Sequence, residues 1–227
     1  MFECLRVPIL TSMPKFSVNQ LAMIANAHSR LARRDDELLG CLASEAWRRC
    51  RETQKPIPAN VLPGLLHAFV HLGLWHTDLV ATVQFSLPLV VHSMNRGDLT
   101  LVVPPLPTLP DLQASAAFRE PVFKRCAAVM SELTSNAVAS IIEAAALLNH
   151  DDREFWMVAL SHCEASLADI GQPWQPRYLT ILATAVSHAY ESQEPPPFPE
   201  SARARLIAAI EALTADVGGA SVPVEAR

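Results

Sequence analysis

Phe16-Ser-Val-Asn-Gln-Leu-Ala-Met-Ile-Ala-Asn-Ala-His-Ser-Arg-Leu-Ala-Arg-Arg-Asp-Asp-Glu-Leu-Leu39 reads as one amphipathic helix, a short polar break and the start of a second helix. The pattern recurs. Setting Phe16 against Ile57 aligns Asn19 with Asn60, Leu21 with Leu62, Ile24 with Leu65, Ala27 with Ala68, Leu31 with Leu72 and Leu38 with Leu79. Setting Phe16 against Leu133 aligns Asn19 with Asn136, Ile24 with Ile141, Ala27 with Ala144 and Leu31 with Leu148. A further copy from Trp174 places Leu182 and Ala185 at the corresponding sites. The offsets of 41, 76 and 41 residues leave room for one degenerate copy in the middle gap. Self-similarity at this period predicts an all-α chain, an α-solenoid of about five antiparallel helix-pair repeats with a period of about 38–41 residues.

The same period runs through the chain as one domain over 1–227. Residues 1–15 form an N-terminal cap, read as the second helix of a broken repeat; a targeting role is the alternative reading of this segment. Repeats follow at 16–56, 57–98, 99–132 (degenerate), 133–173 and 174–219, with a tail at 220–227. Helix A of the first repeat is capped by Ser17 and buries Leu21, Ile24, Ala25, His28 and Leu31 on one face. Helix B runs from about Asp36 to Arg51. In the second repeat Pro63 suits a first helical turn, and helix B from Thr77 to about Met94 should kink at Pro88. Four prolines between Leu101 and Pro110 predict an extended, polyproline-like insertion outside the stack. It occupies the place of the third helix A. A short helix over Asp111 to Phe118 partly replaces that helix, and Arg119-Glu120-Pro121 opens a helix B reaching Glu132. The fourth pair is expected at Ser135–Asn149 and Asp152–Ile170, ended by Gly171-Gln-Pro173. The fifth is expected at Pro176–Tyr190 and Glu200–Asp216, ended by Val217-Gly218-Gly219. Recurrence at one repeat position predicts Ala27, Ala68, Ala144 and Ala185 at helix crossings.

Half the residues are apolar but only 6 % are aromatic, and alanine is abundant, as close-packed helices require. No apolar run reaches about twenty residues, so no membrane insertion is expected. Five cysteines stand singly without a CxxC, which points to reduced thiols and an intracellular, reducing compartment. The net charge of −5 conceals an asymmetry: residues 1–56 carry nine Lys/Arg against six Asp/Glu, and the remainder nine against seventeen. Arginine outnumbers lysine fifteen to three, which suits phosphate contacts and equally reflects a GC-rich genome.

Chemistry-bearing patterns are few. His67 and His71 share a helix face at i,i+4, but no third ligand accompanies them, so no metal site is expected. His162-Cys163-Glu164 resembles a nucleophile with a base, yet adjacent helical residues point apart. There is no G-x-S-x-G, Walker loop or dinucleotide fingerprint. The reading is therefore that the chain is not an enzyme and takes no cofactor. Trp47, Trp75, Trp156 and Trp174 sit at repeat junctions, where core packing is expected.

The Phe-Ser-x-x-x-Leu entry, the mid-helix Ala-His or Ala-Phe, and the Arg-Asp-Asp-Glu-Leu-Leu turn resemble organellar helical repeats. Phe16 to Leu42, Ile57 to Val80 and Leu133 to Leu160 are similar to octotricopeptide and heptatricopeptide repeats, as found in RAP-domain and FAST-kinase-like proteins. The resemblance implies an α-solenoid, a mitochondrial or plastid location, and work in RNA processing, RNA stability or the organellar ribosome. Two departures stand out: no RAP-like domain follows the repeats, and the face carrying Asn60, Gly64, His67 and His71 is nearly free of positive charge. Single-strand readers track the backbone with basic grooves. The expectation is thus a non-catalytic structural component of a mitochondrial ribonucleoprotein, a mitochondrial ribosomal protein touching rRNA and neighbouring protein subunits. A protein-only scaffold or assembly factor is the alternative. Any RNA would be met by Arg30, Arg33 and Arg34 at the end of one helix and Arg48, Arg49 and Arg51 at the end of the next, with the Arg33–Arg34 edge favoured.

Overall fold

The computed structural model describes residues 2–110, 116–169 and 174–219. Every regular element in them is helical, with no strand. Two compact units emerge, Met1–Arg125 and Cys126–Arg227. The first contains α1 (Phe2–Ser12), α2 (Val18–Arg30), α3 (Asp36–Thr53), α4 (Leu62–His71), α5 (Thr77–Val90), α6 (Arg96–Val102) and most of α7 (Ala116–Ala128). The second contains α8 (Ser135–Leu147), α9 (Arg153–Ala168), α10 (Pro176–Ser192) and α11 (Glu200–Gly219). Most of the expected 111–118 helix, the Gly171-Gln-Pro173 stop and the 220–227 tail lie outside the described residues.

The repeat has a physical counterpart in how its helices end. After α2, the Ala32 and Arg33 N–H groups return to Ser29 O and His28 O, with Ala32 left-handed at φ 47. After α4, Gly73 and Leu74 return to Val70 O and Phe69 O with Gly73 at φ 61. After α8, Asn149 and His150 return to Ala146 O and Ala145 O with Asn149 at φ 51. This paired closure satisfies carbonyls that a helix end otherwise orphans. Each turn is followed, at the matching position, by a side-chain cap on the next helix: Asp35 accepts from Leu38 N, His76 from Asp78 N and Asp152 from Glu154 N. An Asp cap of this kind contributes about 1 kcal/mol.

Helix entry repeats as well. Met13, Val91 and Met130 are buried and open short 3-10 turns, after which Phe16, Met94 and Leu133 bond back to them. Ser17, Asn95 and Thr134 then cap α2, α6 and α8 through their side chains. A helix not expected from the sequence, α6, therefore lies upstream of the prolines, entered by the same kind of turn as α2 and α8.

Packing within the first unit pairs α2 with α4, α4 with α6 and α3 with α5, besides the hairpins α2–α3 and α4–α5; α1 lies on α3. In the second unit α8 packs on α10 and α9 on α11, with hairpins α8–α9 and α10–α11. First helices thus meet first helices, and second helices meet second helices. Leu21, Leu62, Leu65, Leu79 and Ile141 are fully buried between them, each stabilising by about 1.5–3 kcal/mol. Across the α3–α5 seam, Ser86 Oγ accepts from Ile57 N at 3.0 Å and meets Cys50 Sγ at 3.7 Å.

Several expectations need correction. Ala68, Ala144 and Ala185 are buried, but Ala27 is exposed. Both Ala27 and Met23, one turn apart on α2, are exposed. Leu31 is the C-cap and is 54 % exposed. The proline segment is not extended: Leu106–Thr108 form a 3-10 turn, and Val102, Val103, Leu106 and Leu109 are buried. Proline's fixed φ suits a tight turn as well as an extended chain, and four buried apolar side chains decide between them. α5 runs through Pro88 to Val90 and tightens to a 3-10 turn over Val91–Ser93. α7 contains Pro121 rather than starting at it and ends at Ala128, while α11 runs through Val217 and Gly218 to Gly219. Trp156 is buried and donates to His150 O at 2.7 Å, but Trp75 is exposed and Trp47 only half-buried, edge-on to Phe85.

Candidate functional site

The six candidate arginines fall on two ends of the first hairpin, as helix direction requires. Arg30, Arg33 and Arg34 close α2, and Arg48, Arg49 and Arg51 close α3. Their surroundings separate them. Arg48 and Arg49 both donate to Glu45, at 2.8 and 2.7 Å, and Arg48 also reaches Glu52. Arg49 extends further to the carbonyls of Met13 and Pro14. Glu45 is only 8 % exposed, and its carboxyl is held below the usual range, first by the Arg48 hydrogen bond and then, against burial, by Arg49. Spacings of three and four residues on one helix make that cluster, a structural use of the charges.

Arg34 grips Asp36 through two hydrogen bonds, at 2.6 and 3.0 Å, and its other nitrogen reaches Gly73 O at 3.3 Å. Asp36 is lowered below the ordinary carboxylate range chiefly by that hydrogen bond. Arg34 therefore ties the first A–B turn to the second. Arg33 is exposed, and its carbonyl meets His28 Nδ1 at 3.1 Å. Arg30 and Arg51 are exposed and make no side-chain hydrogen bond or ion pair among the described residues.

The two histidines at i,i+4 stack at 6.0 Å on the exposed side of α4, and His71 Nδ1 pairs with Ser29 Oγ at 3.1 Å across the α2–α4 seam. No group of three His, Cys, Asp or Glu suited to a metal occurs among the described residues. Cys163 is wholly buried, and burial, aided by Glu164, pushes its thiol up to about 12; His162 is shifted down by burial. A nucleophile needs the opposite environment. No helix among the described residues is long and apolar enough to cross a membrane.

A groove of about 300 Å³ opens between α2 and α4, lined by Asn19, Met23, Asn26, Asn60 and Gly64. In the sequence it shows as the recurrence of Asn19 and Asn60 at one repeat position and as part of the face carrying Asn60 and Gly64. In the second unit a depression of about 480 Å³ joins Asn149, Asp151, Arg153, Gln193 and Glu194, mixing both signs of charge. Compared with known proteins, the chain matches no family model and no curated sequence.

Proposed function

We propose that the chain is a non-catalytic α-solenoid acting as a structural component of a mitochondrial ribonucleoprotein, a mitochondrial ribosomal protein in contact with rRNA and neighbouring protein subunits. The observation that carries the array is the recurrence of one turn geometry after α2, α4 and α8 combined with like-on-like helix packing within each unit. Such arrays present extended surfaces for partners. The mitochondrial and ribosomal parts of the reading rest on the sequence resemblance. Arg30, exposed at the end of α2, is the arginine there best placed for a phosphate, because Arg34, Arg48 and Arg49 already hold internal partners.

Those internal pairings, with five Lys/Arg against thirteen Asp/Glu over 126–227, favour the second reading, a protein-only scaffold of an organellar complex. Gradient sedimentation of the tagged chain from purified mitochondria, with and without RNase, separates the two. Co-migration with a ribosomal subunit that RNase releases supports the first; a large complex indifferent to RNase supports the second; a chain sedimenting alone defeats both. Arg30→Glu should weaken RNA-dependent association and flatten its salt dependence by roughly one unit per lost phosphate contact.

A further inference from the structure

Asp35, His76 and Asp152 stand at matching positions and each accept a backbone N–H at the start of α3, α5 and α9. Imidazole is the odd member, because it is the side chain whose charge ordinarily changes between about pH 5 and 8. His76 Nδ1 accepts the Asp78 N–H at 3.2 Å, so the neutral ring carries its own proton on Nε2. The other edge of the ring rests on α3: Cδ2 and Nε2 lie 3.4 Å from where a Cβ at Gly40 would stand. That seat leaves Nδ1 turned to its own helix start. The side chain is 31 % exposed, open to proton exchange with solvent.

Protonation converts Nδ1 from acceptor to donor. Two N–H groups then face each other, and the cap is lost. An acceptor for the new N–H is at hand in Asp78 Oδ2, 3.9 Å from Nδ1. That same oxygen takes the Ser44 hydroxyl at 2.5 Å, a bond that joins α3 to α5. The helices packed on α5 in this unit are α3 and α4. In the first turn of α3, Asp36 is held by Arg34, which also reaches Gly73 O, and Glu37 is held by Arg6. Cys41, next to Gly40, is an exposed thiol. On α4, His67 and His71 stack, with His71 on Ser29, and His92 lies beyond the opposite end of α5. Among the described residues of these elements, Asp78 is the carboxylate placed to meet an imidazolium, and a charge-assisted bond outcompetes a neutral hydroxyl. We propose that His76 is a proton-operated latch on the α3–α5 seam. Neutral, it caps α5 and leaves Asp78 to Ser44. Protonated, it frees the Asp78 N–H and draws the carboxylate from Ser44, loosening the start of α5 from α3. This assignment is independent of what the chain binds.

The test follows the Asp78 backbone amide of the full chain by NMR from about pH 8 to about pH 5. Its proton resonance should move together with the titration of the His76 ring. Its protection from hydrogen exchange, corrected for the intrinsic pH dependence, should fall roughly two- to tenfold, the worth of one hydrogen bond. His76→Asn supplies a favoured capping acceptor that does not titrate, so it should fold as the parent does and hold the amide unchanged across the range. A double-mutant cycle of Ser44→Ala and Asp78→Ala, read by urea unfolding, should show roughly two- to tenfold coupling in the unfolding constant at about pH 8 and almost none at about pH 5. An Asp78 amide indifferent to the His76 titration would overturn the latch. So would the same response in His76→Asn, or a Ser44–Asp78 coupling equal at both ends of the range.

Discussion

Glu45 shows how a charge cluster that looks available in sequence is consumed in the fold. Its carboxylate is nearly buried and takes hydrogen bonds from Arg48 and Arg49, and Arg49 also holds the carbonyls of the 3-10 turn before α2. Glu45→Ala should destabilise the first unit by about 1–3 kcal/mol, since it strips the partner from a partly buried guanidinium, measured by urea unfolding near neutral pH. The sign with pH follows from the lowered carboxyl. Its contribution is complete above the ordinary value of 4.5 and is lost as pH falls through the folded value. Glu45→Gln should therefore narrow the stability gap between neutral and acidic solution. None of this was legible as a site: the i,i+3 and i,i+4 spacing of Glu45, Arg48 and Arg49 was visible, but the burial that makes the pairing structural depends on α1 and its turn.

At the scale of elements, one turn serves three residue types. Position 32 is Ala, its counterparts are Gly73 and Asn149, and all three sit at positive φ. An alanine there opposes its Cβ, so Ala32→Gly should stabilise by about 0.5–1 kcal/mol, and Gly73→Ala should cost a similar amount. Nothing lies within 4 Å of a Cβ at Gly73, so the penalty there is backbone conformation alone. Thermal melts of the two single variants should move in opposite directions. The helices themselves were largely readable, because Ser17, Asp35 and Thr134 announce their starts and apolar spacing carries them through. Helix α6 was not. Its 3-10 entry and its Asn95–Asp98 capping box were masked by the prolines that follow, which suggested an extended chain until buried Val102, Val103, Leu106 and Leu109 are placed.

For the whole molecule, thiol chemistry maps the two units separately. Cys4 and Cys41 are exposed, whereas Cys50 in the first unit and Cys126 and Cys163 in the second are buried. Burial also raises the Cys50 and Cys163 thiols, which lowers their thiolate fraction. Iodoacetamide should label Cys4 and Cys41 within the native protein, and the other three only as denaturant opens their unit, read by peptide mass. Rapid native labelling of Cys163 would contradict its burial. Like-on-like packing also has a mechanical meaning. Within each unit the substantial contacts among the described residues join elements that are adjacent or next but one along the chain. Pulled from its ends, such a stack has no single bond set to break first. In an optical trap each unit should peel away helix by helix, so that a molecule well packed across its helices yields readily along its length.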